Sequence, residues 1–214
     1  MNRYILFFLI TFFISCTKQS FQVGDIFFQD LDCGPPCEAI EAVTSGYQGA
    51  QLSHCAIITS IGSSNHDTIL TEAIGKAVIQ TTLHDFLNRS NKVFVGRLKN
   101  EYQYMIPDAI VYIQTDLKGK PYDYIFDITD DTYYCSEIIY EGLKMADNTQ
   151  DLFSLKPMTF NEPGTDSPFI HWVEYYEELG HPIPEGELGL NPGGMSQSEA
   201  IDIVYVYKKP TGMQ

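Results

Sequence analysis

The stretch Tyr133-Tyr134-Cys135-Ser136-Glu137, continued by Ile138-Ile139-Tyr140-Glu141-Gly142-Leu143-Lys144-Met145-Ala146, decides how this chain is read. Ile138, Ile139, Leu143 and Met145/Ala146 recur at three-to-four spacing, which predicts an amphipathic helix over 135–146. Cys135 then falls in the first turn, where the partial positive charge of a helix start stabilises a thiolate. Backbone N–H groups exposed at the same end are placed to receive a developing oxyanion. The plain alternative is a small buried residue at a helix start. Choosing between the two requires a base elsewhere in the chain.

Working outward, residues 54–60 (HCAIITS) form a β-prone, apolar run. His54 begins it, which puts the ring at one end of a sheet. Glu72 lies near the end of the next predicted strand, 68–73, so an adjacent pairing would bring its carboxylate to the imidazole. That carboxylate would fix the tautomer and support the imidazolium. Because side chains alternate along a strand, only one of His54 and Cys55 is expected to point toward Cys135.

Elsewhere the pattern gives short strands first and helices later. Strands are expected at 26–29, 77–81 and 93–98, the second forming a hairpin with 68–73 through Ile74-Gly75-Lys76. Short helices are expected at 38–44 and 83–88, the latter capped by Thr82, and a longer one at 107–117 opened by Pro107 and stopped by Gly119. An aromatic helix near 169–179, a loop over 180–194 and a last strand at 203–207 complete an α+β domain without repeats.

The N-terminus reads as an address. Arg3 precedes an apolar run over 5–14, too short to span a membrane, and Phe13-Ile14-Ser15-Cys16 resembles a bacterial lipoprotein signal. The expected organisation is a signal at 1–15, a lipid on Cys16 as the membrane attachment, a tether at 16–22 and a catalytic domain at 23–208. An acidic Pro/Gly-rich segment lies inside that domain at about 151–197. The chain is thereby expected in the cell envelope, lipid-anchored, and at the periplasm or outer membrane if the cell is Gram-negative. Export places the remaining cysteines in an oxidising compartment, where Cys33-Gly-Pro-Pro-Cys37 is able to close a local disulfide or stay open. Cys55 reads as a small buried hydrophobe.

Charge narrows the partners. With 13 Lys+Arg against 28 Asp+Glu, the formal net charge is −15, and no basic stripe for nucleic acid is visible. Nine acids and no Lys or Arg lie between residues 157 and 207. A solvated face and an attraction for an amine-bearing substrate are both open readings of that run. The histidines at 54, 66, 84, 171 and 181 show no metal-ligand spacing, so no metal and no organic cofactor is expected.

The ordered set Val23-Gly24-Asp25-Ile26, Ser53-His54-Cys55-Ala56-Ile57, Glu72-Ala73, Gly119-Lys120-Pro121-Tyr122-Asp123 and Tyr134-Cys135-Ser136-Glu137 resembles the YaeF/YiiX-type permuted papain-fold hydrolases, relatives of the NlpC/P60 cysteine peptidases. The resemblance spans residues 21–146, with 203–207 as last strand. It implies a circularly permuted papain-like fold in which the His-bearing strand precedes the Cys-bearing helix. It further implies Cys135 as nucleophile, His54 as general base and Glu72 as third polar residue, with Asp25, Ser53, Tyr122 and Tyr134 around the substrate cleft. The function expected is an exported cysteine hydrolase that cleaves an amide in a cell-wall peptide or an acylated small molecule through a thioester. The rivals are a thiol-dependent lipid acyltransferase or esterase using the same residues, and a lipoprotein binding module that has lost the reaction.

Overall fold

The computed structural model describes residues 20–214; the signal, Cys16 and most of the tether lie outside the described residues. In chain order the elements are β1 (Ile26–Gln29), α1 (Pro35–Val43), β2 (His54–Ser60), β3 (Ile69–Ile74), β4 (Ala77–Thr82), α2 (Leu83–Arg89), β5 (Val93–Leu98), α3 (Ile106–Tyr112), α4 (Cys135–Ala146), β6 (Lys156–Pro157), α5 (Ile170–Leu179), β7 (Leu188–Gly189), α6 (Pro192–Ser196) and β8 (Ile201–Lys208). Six strands form one antiparallel sheet in the order β4-β3-β2-β1-β5-β8. The α+β arrangement follows from the pattern: β2 and β5 are buried for most of their length, with apolar side chains on both faces of the sheet.

The two faces of the sheet carry different partners. Ile26, Phe28, Cys55, Ile57 and Phe94 face α3 and α4 in the main core, joined by Ile113, Ile138, Ile139 and Leu143. Phe27, Ala56, Ile58, Leu70 and Val95 face Leu83 and Phe86 of α2 on the other side. A third cluster, Ala39, Phe160, Trp172 and Tyr176, lies outside the sheet and binds α1 to α5.

Gly142 sets how closely α4 can lie. A Cβ there would come within 2.7 Å of the Ile113 side chain, so the cost of a helix-interior glycine, roughly 0.5–1 kcal/mol, is offset by close packing of α4 on the chain after α3. That packing holds the start of α4 against β2 and β3.

Two expectations change. The long helix starts earlier, through a 3-10 turn at Asn100–Met105 that leads into α3, with Pro107 in the first turn where no N–H is needed. The stretch 180–194 is not all loop: β7 pairs with β6, and Asn191 caps α6 by accepting the Gly194 N–H at 2.7 Å. Neither a two-residue strand nor a five-residue helix leaves a readable period.

Candidate active site

Cys135 occupies the first position of α4, after Tyr134 in extended backbone conformation. The first N–H groups of any α-helix have no acceptor within the helix, so the Cys135 N–H is not claimed by α4. Glu137 accepts the Tyr134 N–H at 3.2 Å and so anchors the turn. Ser136 Oγ donates to the Leu190 carbonyl and Tyr134 Oη accepts the Leu190 N–H, both at 3.2 Å. These contacts tie the start of the helix to the chain between β7 and α6.

His54 lies at the beginning of β2, opposite Gln29 of β1. Its Nε2 is 2.6 Å from Glu72 Oε2, and Glu72 is fully buried. Arg89, the last residue of α2, donates from Nη2 to Glu72 Oε1 at 2.7 Å and Oε2 at 2.6 Å. Phe86, one turn back, lies beside the His54 ring with centroids 6.0 Å apart and carries the Arg89 guanidinium over its face. Nε2 being engaged by the carboxylate, Nδ1 is the nitrogen left for the thiol.

The electrostatics follow from that geometry. Burial pushes the Glu72 carboxyl up, but the hydrogen bond and charge of His54, then Arg89, outweigh it and hold the group at about 2. Burial alone would lower the His54 pKa; contacts with Cys135 and Glu72 raise it to about 9. The Cys135 thiol is held well below the ordinary thiol range by hydrogen bonding from Cys55, against the cost of burial, and then by His54. Cys55 is driven up by burial and by the neighbouring Cys135. These directions favour a thiolate–imidazolium pair with an ionised carboxylate behind it.

The alternation argument about His54 and Cys55 is corrected here, since both interact with Cys135. Cys55 faces the α4 side with the main core. His54 is laddered to Gln29 of β1, while the ladder to β3 begins only at Ile57, so at this end of the strand the imidazole has room to reach past the sheet edge. Cys55 is therefore more than a small hydrophobe.

The four residues expected around the cleft divide. Tyr122, Tyr134 and Ser53 line one cavity of about 340 Å³ together with Cys135. The Ser53 hydroxyl is committed to Leu31, donating to its carbonyl at 3.1 Å and accepting its N–H at 3.0 Å. Burial, followed by the charge of Cys135, keeps the Tyr122 phenol well above its usual range. Asp25 is a correction. It precedes β1 at the end remote from Gln29 and His54, fully buried and ion-paired with Arg97 at 2.6 Å and 2.8 Å. Its carboxylate is a structural clasp, because a buried carboxylate needs a partner and Arg97 on β5 supplies it.

Residues absent from the sequence reading are Arg89, and Phe126, Phe160, Trp172 and Leu190 in the cavity wall. No local pattern marks Arg89, which meets Glu72 only because β4 and α2 return the chain. Cys33 and Cys37 form the disulfide at the start of α1. Among the described residues, no three His, Cys, Asp or Glu side chains come together as a metal-binding set, and no helix is long and apolar enough to cross a membrane.

An antiparallel sheet backed by a helix that begins with a thiol, facing an imidazole–carboxylate pair, is the papain-like arrangement, here with histidine before cysteine. The chain matches the family of permuted papain-like amidase enzymes YaeF/YiiX, C92, over residues 20–205 and belongs to it. It is thus a papain-like amidase, a cysteine hydrolase by class. Its fold is similar to the crystal structure of metalloprotein YiiX from Escherichia coli O157:H7, with a TM-score of 0.66 at 24% identity over 88% of this chain and 98% of that one. No curated protein sequence matches.

Proposed function

We propose that Cys135 is the nucleophile, His54 the general acid–base and Glu72 the orienting carboxylate of an exported, lipid-anchored amidase acting on a cell-wall peptide or an acylated small molecule. The observation that carries the reading is the unbroken polar string Arg89–Glu72–His54 ending at a thiol of lowered pKa on a helix start. The Cys135 thiolate adds to the amide carbonyl, and the oxygen takes the electron pair while the Cys135 N–H stabilises it. His54 gives its proton to the leaving nitrogen, the C–N bond breaks and a thioester remains. Neutral His54 then takes a proton from water, hydroxide adds to the thioester, and the carboxylic acid leaves as the thiolate returns. No step is routed through a metal.

The test is alkylation of Cys135 by iodoacetamide at pH 6, with intact-mass detection of the acyl-enzyme formed from an activated amide. Fast alkylation that slows at least about tenfold in His54→Ala supports the thiolate–imidazolium pair. Equal rates in both proteins overturn it. Release of free acid supports hydrolysis, and transfer of the acyl group to an added amine or lipid in preference to water would assign the acyltransferase instead.

The proposed organisation is a signal at 1–15, a tether at 16–22 and a catalytic domain at 23–208. Support for the anchor is the Ile14-Ser15-Cys16 sequence after the apolar run. Fatty-acid labelling of the full chain that disappears in Cys16→Ser checks it; labelling that survives overturns it.

A further inference from the structure

Among the described residues Cys33 and Cys37 are bonded to each other, and Cys55 and Cys135 remain free thiols. Cys135 has its part in the proposed reaction; Cys55 has none. An aliphatic side chain of similar size would fill the same place in the core and bring no second sulfur to the nucleophile.

The fold puts the two sulfurs in contact. Cys55 pairs in register with Phe28 of β1 and faces α4, in the same core cluster as Cys135, Ile138 and Ile139. Its S–H donates a hydrogen bond to the Cys135 sulfur. With Cys33 and Cys37 already joined, Cys55 is the one thiol among the described residues left to pair with Cys135.

Access to the two is unequal. Cys135 is 7% exposed and lines the cavity, whereas Cys55 is 0% exposed and does not. A small oxidant therefore meets Cys135 first, and a thiolate is the form that hydroperoxides oxidise. Burial, then the hydrogen bond and charge of Cys135, keep Cys55 protonated. Once Cys135 is an uncharged sulfenic acid, its negative charge no longer holds the Cys55 proton in place.

We propose that Cys55 is a resolving thiol, which closes a Cys55–Cys135 disulfide after a hydroperoxide has oxidised Cys135. This rests on the reading of Cys135 as the reactive thiol and adds a redox control of the same site. In the first step the Cys135 thiolate attacks a peroxide oxygen: the S–O bond forms, the O–O bond breaks, and His54 gives its proton to the departing oxygen. In the second, Cys55 sulfur attacks Cys135 sulfur, the S–O bond breaks, and the Cys55 proton leaves with the hydroxide as water. The two thiols lose two electrons and the peroxide gains them. A dithiol reductant reverses the bond by exchange, whereas a sulfinic acid at Cys135 would be lost to it.

The experiment treats the full chain with hydrogen peroxide. It reads intact mass, a non-reducing peptide map, and iodoacetamide uptake by Cys135 before and after dithiothreitol. In the native protein the mass should fall by about 2 Da and the peptides carrying Cys55 and Cys135 should appear joined. Iodoacetamide uptake should be lost and then return with dithiothreitol. In Cys55→Ala the loss should persist with a mass gain of about 32 Da, and dithiothreitol should restore about tenfold less thiol than in the native protein. The joined peptides are read in the native protein, so that result does not depend on how the variant folds. A sulfinic Cys135 beside an unmodified Cys55 in the native protein, Cys135 joined to any other sulfur, or equal recovery in Cys55→Ala overturns the inference, even where iodoacetamide alkylates Cys135 in a His54-dependent way. If neither peroxide nor iodoacetamide modifies Cys135, the thiol-hydrolase reading falls first, and this inference with it.

Discussion

The sheet with α4 and the aromatic cap around α5 are stabilised in different ways, and they are placed to do different things. The first is a body of aliphatic and aromatic side chains packed on both faces of a six-stranded sheet, and it contains every titratable group drawn to Cys135. The second is a small cluster in which Phe160, Trp172, Tyr175 and Tyr176 meet edge-to-face at 5.2 to 5.6 Å, with acids on the outside. Edge-to-face pairs add to the burial of these rings, and Phe160 and Trp172 also line the cavity beside Cys135. On the proposed function, the body sets reactivity and the cap sets what reaches it. Changes in the body should therefore alter rate and its pH profile, and changes in the cap should alter KM.

The largest effect belongs to the body. Cys135→Ala and His54→Ala should each lower kcat/KM on an activated amide by about 10^3-fold or more, and the double variant should be little worse than either, because the two act as one unit. Additive losses in a steady-state assay would break the picture of a single ion pair.

Glu72→Gln comes next. The ionised carboxylate contributes to holding His54 at about 9, so activity in the native protein should fall as pH rises through that value and the imidazolium is lost. In the variant the alkaline limb should move down toward the ordinary imidazole value, with kcat reduced roughly 10^2-fold. Arg89→Met leaves the carboxylate buried on a single partner; it should reduce kcat about tenfold and move any Glu72-dependent acid limb upward, since Arg89 helps to keep Glu72 near 2. An unchanged pH profile in both variants would remove Glu72 and Arg89 from the mechanism.

Phe160→Ala tests the other side of the comparison. Its ring is buried and touches both Trp172 and Tyr176, so truncation should cost about 3 kcal/mol of stability, concentrated in the cap. Iodoacetamide should still alkylate Cys135 at the native rate, while KM for an activated amide rises several-fold. A loss of kcat equal to that of Glu72→Gln would mean the two regions are not separable.

The same division explains what the sequence made readable. The strands, the hairpin and α4 carry strong periods and turn signals, and the His54, Glu72 and Cys135 set lies on them. His54 and Glu72 meet at 2.6 Å as the adjacent strands β2 and β3 predict, although all three side chains are buried rather than open to solvent. Arg89 was hidden because its partner lies across a hairpin and a helix. Asp25 misled because an acidic residue beside a Gly turn looks the same whether it faces a cleft or a buried arginine. Cys55 misleads because alternation fixes where each Cα–Cβ bond points, not how far a long side chain such as the His54 ring reaches at the end of a strand. The cap was nearly silent: aromatic residues at 169–179 announce a helix, but not which face of which cavity they enclose.

The smallest effect is expected at the join between the two regions. Glu137 anchors the first turn of α4 beside the residues that grip Leu190, and burial raises its carboxyl to about 9 against the accepted backbone N–H and in the presence of Asp123. The folded protein therefore keeps a proton that the unfolded chain releases near 4.5. Between those values the folded state binds more protons than the unfolded one, so this group makes stability fall as pH rises from about 4.5 to about 9. Glu137→Gln keeps an acceptor for the Tyr134 N–H and removes the titration. Its Tm should match the native protein near pH 4, exceed it at pH 7 and exceed it further at pH 9. Activity at pH 7 should not change, because the native carboxyl is already neutral there. A Tm difference that is the same at all three pH values would mean Glu137 is ionised in the fold, and the start of α4 would then carry a charge opposed to the thiolate it is built to hold.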